Sequence, residues 1–308
     1  RENVLALIAD AYVYSHGRYD ITDYRKSDTP GAACVMLDHG FTALKKTCMV
    51  RLPSGRSVAE AALDLDLIAS GSGAEAKIHE REWGIPQEKI AVTGLARYDR
   101  LYSLAQARTN PPRNILYMPT WREWNSRKVS LSRTEFFRQA RAFRTDEALN
   151  NCLARGGLRL QLYVHMWMRE FFEDFRKEFS PGNIEVLDQE IDLQEVLLGS
   201  ALLVTDYSSV CWDFLFLDRP VLFYQFDRDD FLEHTGSYID FGKDLFGPVA
   251  NSAEEASAWV RKFIAEGFSA TPYRPRMEEM KKFAFVQRDC RNCERLAREI
   301  LSRWPVGD

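Results

Sequence analysis

Short apolar runs alternating with amphipathic stretches predict an α/β fold made of two parallel-sheet halves. Three observations carry that reading. The alternation runs through the whole chain instead of gathering strands in one part and helices in another. It is interrupted at Thr109-Asn-Pro-Pro-Arg113, where two prolines forbid a helix and push the residues before them to extended geometry. And 308 residues, 45% of them hydrophobic, give each half enough material for its own core.

In the first half, residues 12–15, 34–37, 67–69 and 90–93 read as strands, with residues 76–83 as an intervening helix. In the second, residues 115–118, 160–165, 184–186, 202–205 and 221–224 read as strands. A Gly-containing loop follows Tyr224, then a helix over 253–266 and a charged helix over 276–303. The expected organisation is a first domain over 1–110, a second over 111–275 and a C-terminal helix over 276–308. No internal repeat or low-complexity tract interrupts it.

Composition excludes several classes. A formal charge of −4 argues against a nucleic-acid protein, which needs a basic excess. No run approaches the roughly 18 uninterrupted apolar residues of a membrane span, and no signal-peptide pattern opens the chain, so a soluble or peripheral protein is expected. Because the first residue is Arg1, the chain is expected to be a portion of a longer polypeptide. The six cysteines form no disulfide framework, which suits a reducing compartment. Cys290-Arg-Asn-Cys293 has suggestive spacing but lacks the second pair or nearby histidines of a zinc site, and reads as ordinary thiols on a helix.

The most informative stretch runs from Ala201 to Tyr224. Residues 202–205 form a buried apolar strand, Thr205-Asp-Tyr-Ser-Ser209 a polar turn, 210–217 an apolar helix, and 221–224 another strand. Ser208 and Ser209 therefore sit at a helix N-terminus, where unpaired N–H groups and two hydroxyls suit an anion. The same residues serve equally as an N-cap without a ligand.

This segment resembles the signature of the CDP-glycerol:poly(glycerophosphate) glycerophosphotransferase family, the teichoic-acid and capsule polymerases, in which a TDYSS turn precedes an apolar helix and a P-x-x-F-Y strand. Three further pieces fall in that family's order. His39-Gly-Phe-Thr-Ala-Leu-Lys-Lys46 is similar to its HGTPLKK element, Val92-Thr-Gly-Leu-Ala-Arg-Tyr-Asp-Arg-Leu101 to TGxPRxDxL, and Ile115-Leu-Tyr-Met-Pro-Thr-Trp-Arg122 to ILYAPTWR. Four ordered matches are far more specific than any one of them.

The resemblance implies two Rossmann-like domains facing across a cleft, the GT-B arrangement, with C-terminal helices. It implies transfer of glycerol phosphate or ribitol phosphate from CDP-glycerol or CDP-ribitol to a hydroxyl of a glycan or teichoic-acid-type acceptor, with release of CMP. That chemistry needs a general base and an anion cradle. His39 is the candidate base, and Gly40 beside it permits close approach of substrate. Lys45 and Lys46 hold the anionic acceptor or cap the following helix. Thr120, Arg122, Thr205, Asp206, Ser208 and Ser209 are the candidate donor-binding residues, with Asp206 equally suited to a structural capping role. His165 is the candidate partner of the leaving phosphate, although the family's K-x-H-P reads Tyr163-Val-His-Met166 here. Arg97 and Asp99 are expected to pair locally and pin the interdomain hinge. Ligands in parallel sheets bind beyond the carboxyl ends of strands; His39, Thr120, Arg122 and Ser208 follow such ends and His165 closes one.

Some positions depart from the family pattern: Asp38 replaces a tryptophan, and Ala43 and Ala96 replace prolines. The departures cluster on the acceptor side, which points to an altered acceptor. No cofactor is expected. Asp64-Leu-Asp66, the nearest match to a metal-binding DxD triplet, reads as helical and precedes its strand, which favours a metal-free donor site. A GT-B glycosyltransferase using a nucleotide sugar, with Asp213 or Asp218 as its carboxylate, and a non-catalytic nucleotide- or polymer-binding domain are the alternatives. The family's lipid-linked acceptors imply a cytoplasmic protein, peripheral at the inner face of a bacterial membrane. Phe136-Phe-Arg-Gln-Ala-Arg-Ala-Phe-Arg144 is either a lipid-touching basic helix or a packed surface helix.

Overall fold

A computed structural model describes residues 9–16, 29, 31–50, 55–120, 122, 134–164, 183–188 and 190–305. The chain divides into two units: Arg1–Gln106 together with Lys281–Asp308, and Ala107–Met280. The C-terminal segment thus returns to the first unit, a long-range association that local pattern cannot encode.

In the first unit the elements are β1 (Ala11–Tyr14), β2 (Ala33–Met36), α1 (Val58–Ala62), β3 (Leu67–Ser70), α2 (Gly73–Arg81), β4 (Ile90–Val92) and α3 (Arg97–Ala107). The strands pair in parallel in the order β1-β2-β3-β4. Strands β2 and β3 are buried at every position, as expected of a sheet covered on both faces. Helix α1 starts at a capping box in which Ser57 accepts from the Glu60 amide and Glu60 from the Ser57 amide. It ends at Ala62, so Asp64-Leu65-Asp66 lies beyond the helix; Asp66 there accepts from the Cys34 amide at 2.8 Å.

The second unit contains β5 (Asn114–Met118), α4 (Glu135–Thr145), α5 (Glu147–Gly156), β6 (Leu160–Leu162), β7 (Ile184–Val186), α6 (Leu193–Gly199), β8 (Ser200–Thr205), α7 (Val210–Phe216), β9 (Val221–Tyr224), α8 (Arg228–His234), β10 (Val249–Ala250) and α9 (Ala253–Ala265). Its described strands are all parallel, in the order β10-β9-β8-β5-β6-β7. From β5 the chain winds outward through β6 and β7, then returns to lay β8, β9 and β10 on the other side, the doubly wound order of a Rossmann sheet. Both units are thus parallel α/β layers.

The core of the second unit joins Ile115, Leu202, Val204 and Leu222 of the sheet to Phe137 and Phe143 of α4, Leu149 and Leu153 of α5, and Val260 and Phe263 of α9. Phe136, Phe137, Ala140, Phe143 and Arg144 of α4 are buried, so this is a packed helix whose apolar face meets protein and not lipid. No helix among the described residues is long and apolar enough to cross a membrane.

Two elements differ from the sequence expectation. Strand β6 stops at Leu162, and His165 falls outside the described residues. The single charged helix is two, α10 (Arg274–Ala284) and α11 (Asn292–Arg303). The interruption is tertiary in origin: the Val286 amide donates to the Gly71 carbonyl at 2.8 Å, and Cys290 takes a left-handed φ of 59°. Leu296 of α11 then packs on Val35, Leu67, Ala69 and Ala91 of the sheet.

Asp99 supplies the N-terminal cap of α11 from the other end of the sequence. Its Oδ1 accepts from the Asn292 amide at 3.0 Å and the Asn292 side chain at 2.8 Å, and its Oδ2 from the Cys293 amide at 2.7 Å. The approach is close enough that a Cβ on Gly94, itself at φ 79°, would collide with the Asn292 side chain. Asp99 therefore ties the C-terminal helix to the first unit. Replacing it leaves buried donors unpaired, so Asp99→Ala should lower the urea unfolding free energy by about 2 kcal/mol, read from the denaturation midpoint.

Candidate active site

The order of the second sheet reverses between β5 and β8, and the carboxyl ends of these two neighbours are where such a fold opens to ligand. Thr120 and Arg122 follow β5, and Asp206 to Ser209 follow β8. Beneath this point lies a buried ionic cluster. Arg122 Nη1 meets Asp206 Oδ2 at 2.8 Å, while its Nε and Nη2 donate to Asp227 Oδ2 and Oδ1 at 2.6 and 2.9 Å. Nη1 also donates to the Thr120 carbonyl at 2.6 Å. Asp227 follows β9 at the start of α8, so one guanidinium ties three strand ends.

Arg122 is 1% exposed, with Tyr207, Phe136 and Phe226 within 5.5 Å of its guanidinium carbon. Burial acts to lower its pKa, but the charges of Asp206 and Asp227 outweigh that and hold it above the ordinary arginine value. The cation expected to meet donor phosphate is therefore committed to two carboxylates. Asp206 is likewise structural in its contacts: it accepts from the Thr120 amide at 2.9 Å and the Tyr207 amide at 2.6 Å. Thr205 donates to the Met118 carbonyl at 2.6 Å, cross-linking β8 to β5.

The hydroxyls left facing outward are those of the turn. Ser208 and Ser209 are half-buried, and neither gives α7 a firm cap: Ser209 makes no side-chain cap bond, and Ser208 Oγ is 3.5 Å from the Val210 amide. Thr120 Oγ1 is buried with no hydrogen-bond partner. Sequence reasoning missed Asp227, whose part in the cluster is set by a contact spanning 105 residues. It also missed Tyr207 Oη, which donates to Asp227 Oδ1 at 3.1 Å. Of the carboxylates considered for a sugar donor, Asp213 is buried in α7 and Asp218 follows that helix at φ 60°.

The first unit carries its own cluster, at the end of β2. Asp38 is buried at φ 59°. Its Oδ1 accepts from the His39 amide at 2.6 Å and lies 3.3 Å from His39 Nδ1, and its Oδ2 accepts from Thr42 Oγ1 at 3.3 Å. The His39 side chain is 54% exposed and stacks on His16, ring centroids 4.3 Å apart. His16 was missed in the sequence, although it follows β1 as His39 follows β2.

Gly40 is buried beneath this turn, while Lys45 is half-buried and Lys46 exposed; Lys46 precedes a short 3-10 turn, Thr47–Met49, that has no side-chain cap. Arg97 donates to the His39 carbonyl, so Arg97 holds the histidine turn and Asp99 holds α11. Behind Asp38, burial raises the Glu75 carboxyl well above the usual carboxylate range with help from the Asp38 charge, and lowers the His79 imidazole to about 4.

The cysteine pair sits at the start of α11, beside Asp99 and Ser103. Cys290 Sγ lies 3.0 Å from Ser103 Oγ, and burial pushes the Cys293 thiol up to about 11.

A sequence profile of CDP-Glycerol:Poly(glycerophosphate) glycerophosphotransferase matches residues 4–302. The chain belongs to this family. Among its relatives, the teichoic acid poly(glycerol phosphate) polymerase of Bacillus subtilis (strain 168) is 30% identical over 69% of this chain and 29% of its own length. The teichoic acid ribitol-phosphate polymerase TarK of Staphylococcus aureus (strain NCTC 8325 / PS 47) is 23% identical over 72% of this chain and 42% of its own. The chain thus spans less than half of either relative. A structure of the wall teichoic acid polymerase TagF soaked with CDPG superposes on 96% of this chain and 71% of that one, with a TM-score of 0.69 at 18% identity, a likeness of fold.

In this family member the Arg122 cluster is a stability element. Arg122→Ala would strand two buried carboxylates and should lower the unfolding free energy by about 3 to 5 kcal/mol in urea titration. Arg122→Lys, which cannot reproduce the bidentate contact with Asp227, should fall between wild type and alanine.

Proposed function

We propose that this chain is the transferase portion of an enzyme that moves glycerol phosphate or ribitol phosphate from a CDP-linked donor to a hydroxyl of a teichoic-acid-type acceptor, releasing CMP. The observation that carries this is the placement of Thr120, Ser208 and Ser209 at the switch point of a Rossmann sheet, on a floor made rigid by Arg122, Asp206 and Asp227. Membership of a family named for CDP-glycerol supports a CDP-linked donor.

In the proposed step, an acceptor oxygen attacks the β-phosphorus of the donor. A new phosphorus–oxygen bond forms as the bond to the departing CMP breaks, and the hydroxyl proton passes to His39. Asp38 faces His39 Nδ1 and favours the tautomer with its proton there, leaving Nε2 to accept. The hydroxyls of Ser208, Ser209 and Thr120 donate to the phosphates, and Lys45 and Lys46 lie on the acceptor side with Gly40. A lipid-linked acceptor would place the reaction at the inner face of a bacterial membrane, the protein bound peripherally.

The reading is tested by following CMP release from CDP-glycerol and CDP-ribitol with saccharide and polyol phosphate acceptors. Acceptor-dependent release is expected from one of the two. His39→Ala should cut kcat by about 10²- to 10⁴-fold with little change in donor KM. Ser208→Ala with Ser209→Ala should instead raise the donor KM. Turnover of nucleotide sugars with no CMP from either polyol donor would sink the proposal.

A further inference from the structure

Helix α2 places Glu75 and His79 four residues apart, so both side chains project from one face one turn apart. Asp38, at the end of β2, meets that face. His79 Nε2 lies 3.8 Å from Asp38 Oδ2, and one ligating atom from each of Asp38, Glu75 and His79 falls within 4.8 Å of the others. All three residues are buried.

Two features distinguish this cluster from a set of satisfied hydrogen bonds. His79 Nε2 is buried with no hydrogen-bond partner and is turned toward the carboxylate, an unmet polar atom of the kind that native cores rarely leave. The other ring nitrogen, Nδ1, lies 2.9 Å from Ser70 Oγ, an outer partner that fixes the ring as metal-ligating histidines are fixed. Glu75 is oriented in the same way: Oε2 accepts from the Gly71 amide at 2.6 Å and Oε1 from the Thr42 amide, leaving lone pairs on both oxygens for a further ligand.

The geometry points to a buried site for a divalent transition-metal ion, held by Asp38 Oδ2, a carboxylate oxygen of Glu75 and His79 Nε2. One imidazole and two carboxylates suit zinc or manganese by donor type. Two negative charges match a divalent ion in a place where unpaired charge is costly. The site is structural: none of its ligands is accessible to substrate, and its effect on chemistry would be to fix the turn that carries His39. The inference does not depend on the polyol phosphate reading and is tested without an activity assay.

The test uses the whole chain, expressed without a polyhistidine tag. Metal content of the purified protein is measured by plasma mass spectrometry, chelator-treated protein is titrated with zinc and with manganese, and the bound ion is examined by X-ray absorption. One equivalent per chain is expected, with a nitrogen and oxygen shell that includes one imidazole. Affinity should fall by more than about tenfold in His79→Gln and in Glu75→Gln and stay unchanged when Cys290 and Cys293 are both replaced by serine. Absence of stoichiometric uptake, sulfur in the first shell, or undiminished binding by the two ligand variants would overturn the inference. If the variants do not fold, the absorption spectrum of the wild-type protein decides alone.

Discussion

The second unit depends on one guanidinium. A sheet whose strand order reverses must bring together ends that are far apart in sequence, and here β5, β8 and β9 are joined by Arg122 meeting Asp206 and Asp227. An aliphatic residue could fill the same volume, but it could not satisfy two carboxylates that themselves orient backbone amides. Asp206 fixes the amides of Thr120 and Tyr207, and Asp227 holds the Tyr207 hydroxyl. The aromatic shell of Phe136, Tyr207 and Phe226 excludes water, which strengthens each pair while making the loss of any member expensive. The cluster fixes the conformation of the turn above it, and the Ser208 and Ser209 hydroxyls take no part in that cluster.

The first unit places a second buried carboxylate at a strand end. Asp38 adopts a left-handed φ, a backbone state that aspartate tolerates better than most residues because its side chain can bond its own turn. It does so through the His39 and Gly40 amides. Its other oxygen faces Thr42 and His79, so the position of His39 is coupled to residues of α2 that themselves make no approach to solvent. In both units, then, a strand-end turn rests on a buried charge held in place by its partners.

The alternating strand pattern, the proline-marked break and the strand-end positions of His39, Thr120 and Ser208 were legible because each is local: two-residue and 3.6-residue periodicities, turn residues and motif spacing all lie within a few positions. What was not legible is what distant segments do to one another. Nothing in residues 276–303 announces a break, because its causes are the Gly71 carbonyl and the Asp99 carboxylate, both supplied from the first unit. Arg122 read as a phosphate ligand because the sequence shows a cation in a motif but not the two carboxylates that take it up. Strand β10, at two residues, is too short to have a period. His16 and His39 stack only after β1 and β2 have paired.

The departures of this chain from its family take on meaning when placed in the structure. Asp38 occupies a position where the family pattern has tryptophan, and a buried carboxylate needs donors to meet it. It has three: the amides of His39 and Gly40 and the Thr42 hydroxyl. Without them, a lone charge at 4% exposure would be neutralised or expelled. One polar network therefore runs from the turn at His39 through Asp38 to the buried face of α2. The Thr205–Ser209 turn of the second unit matches its family motif and rests on the Arg122 cluster. There a single arginine joins three strand ends, and no second cation among the described residues shares Asp206 or Asp227.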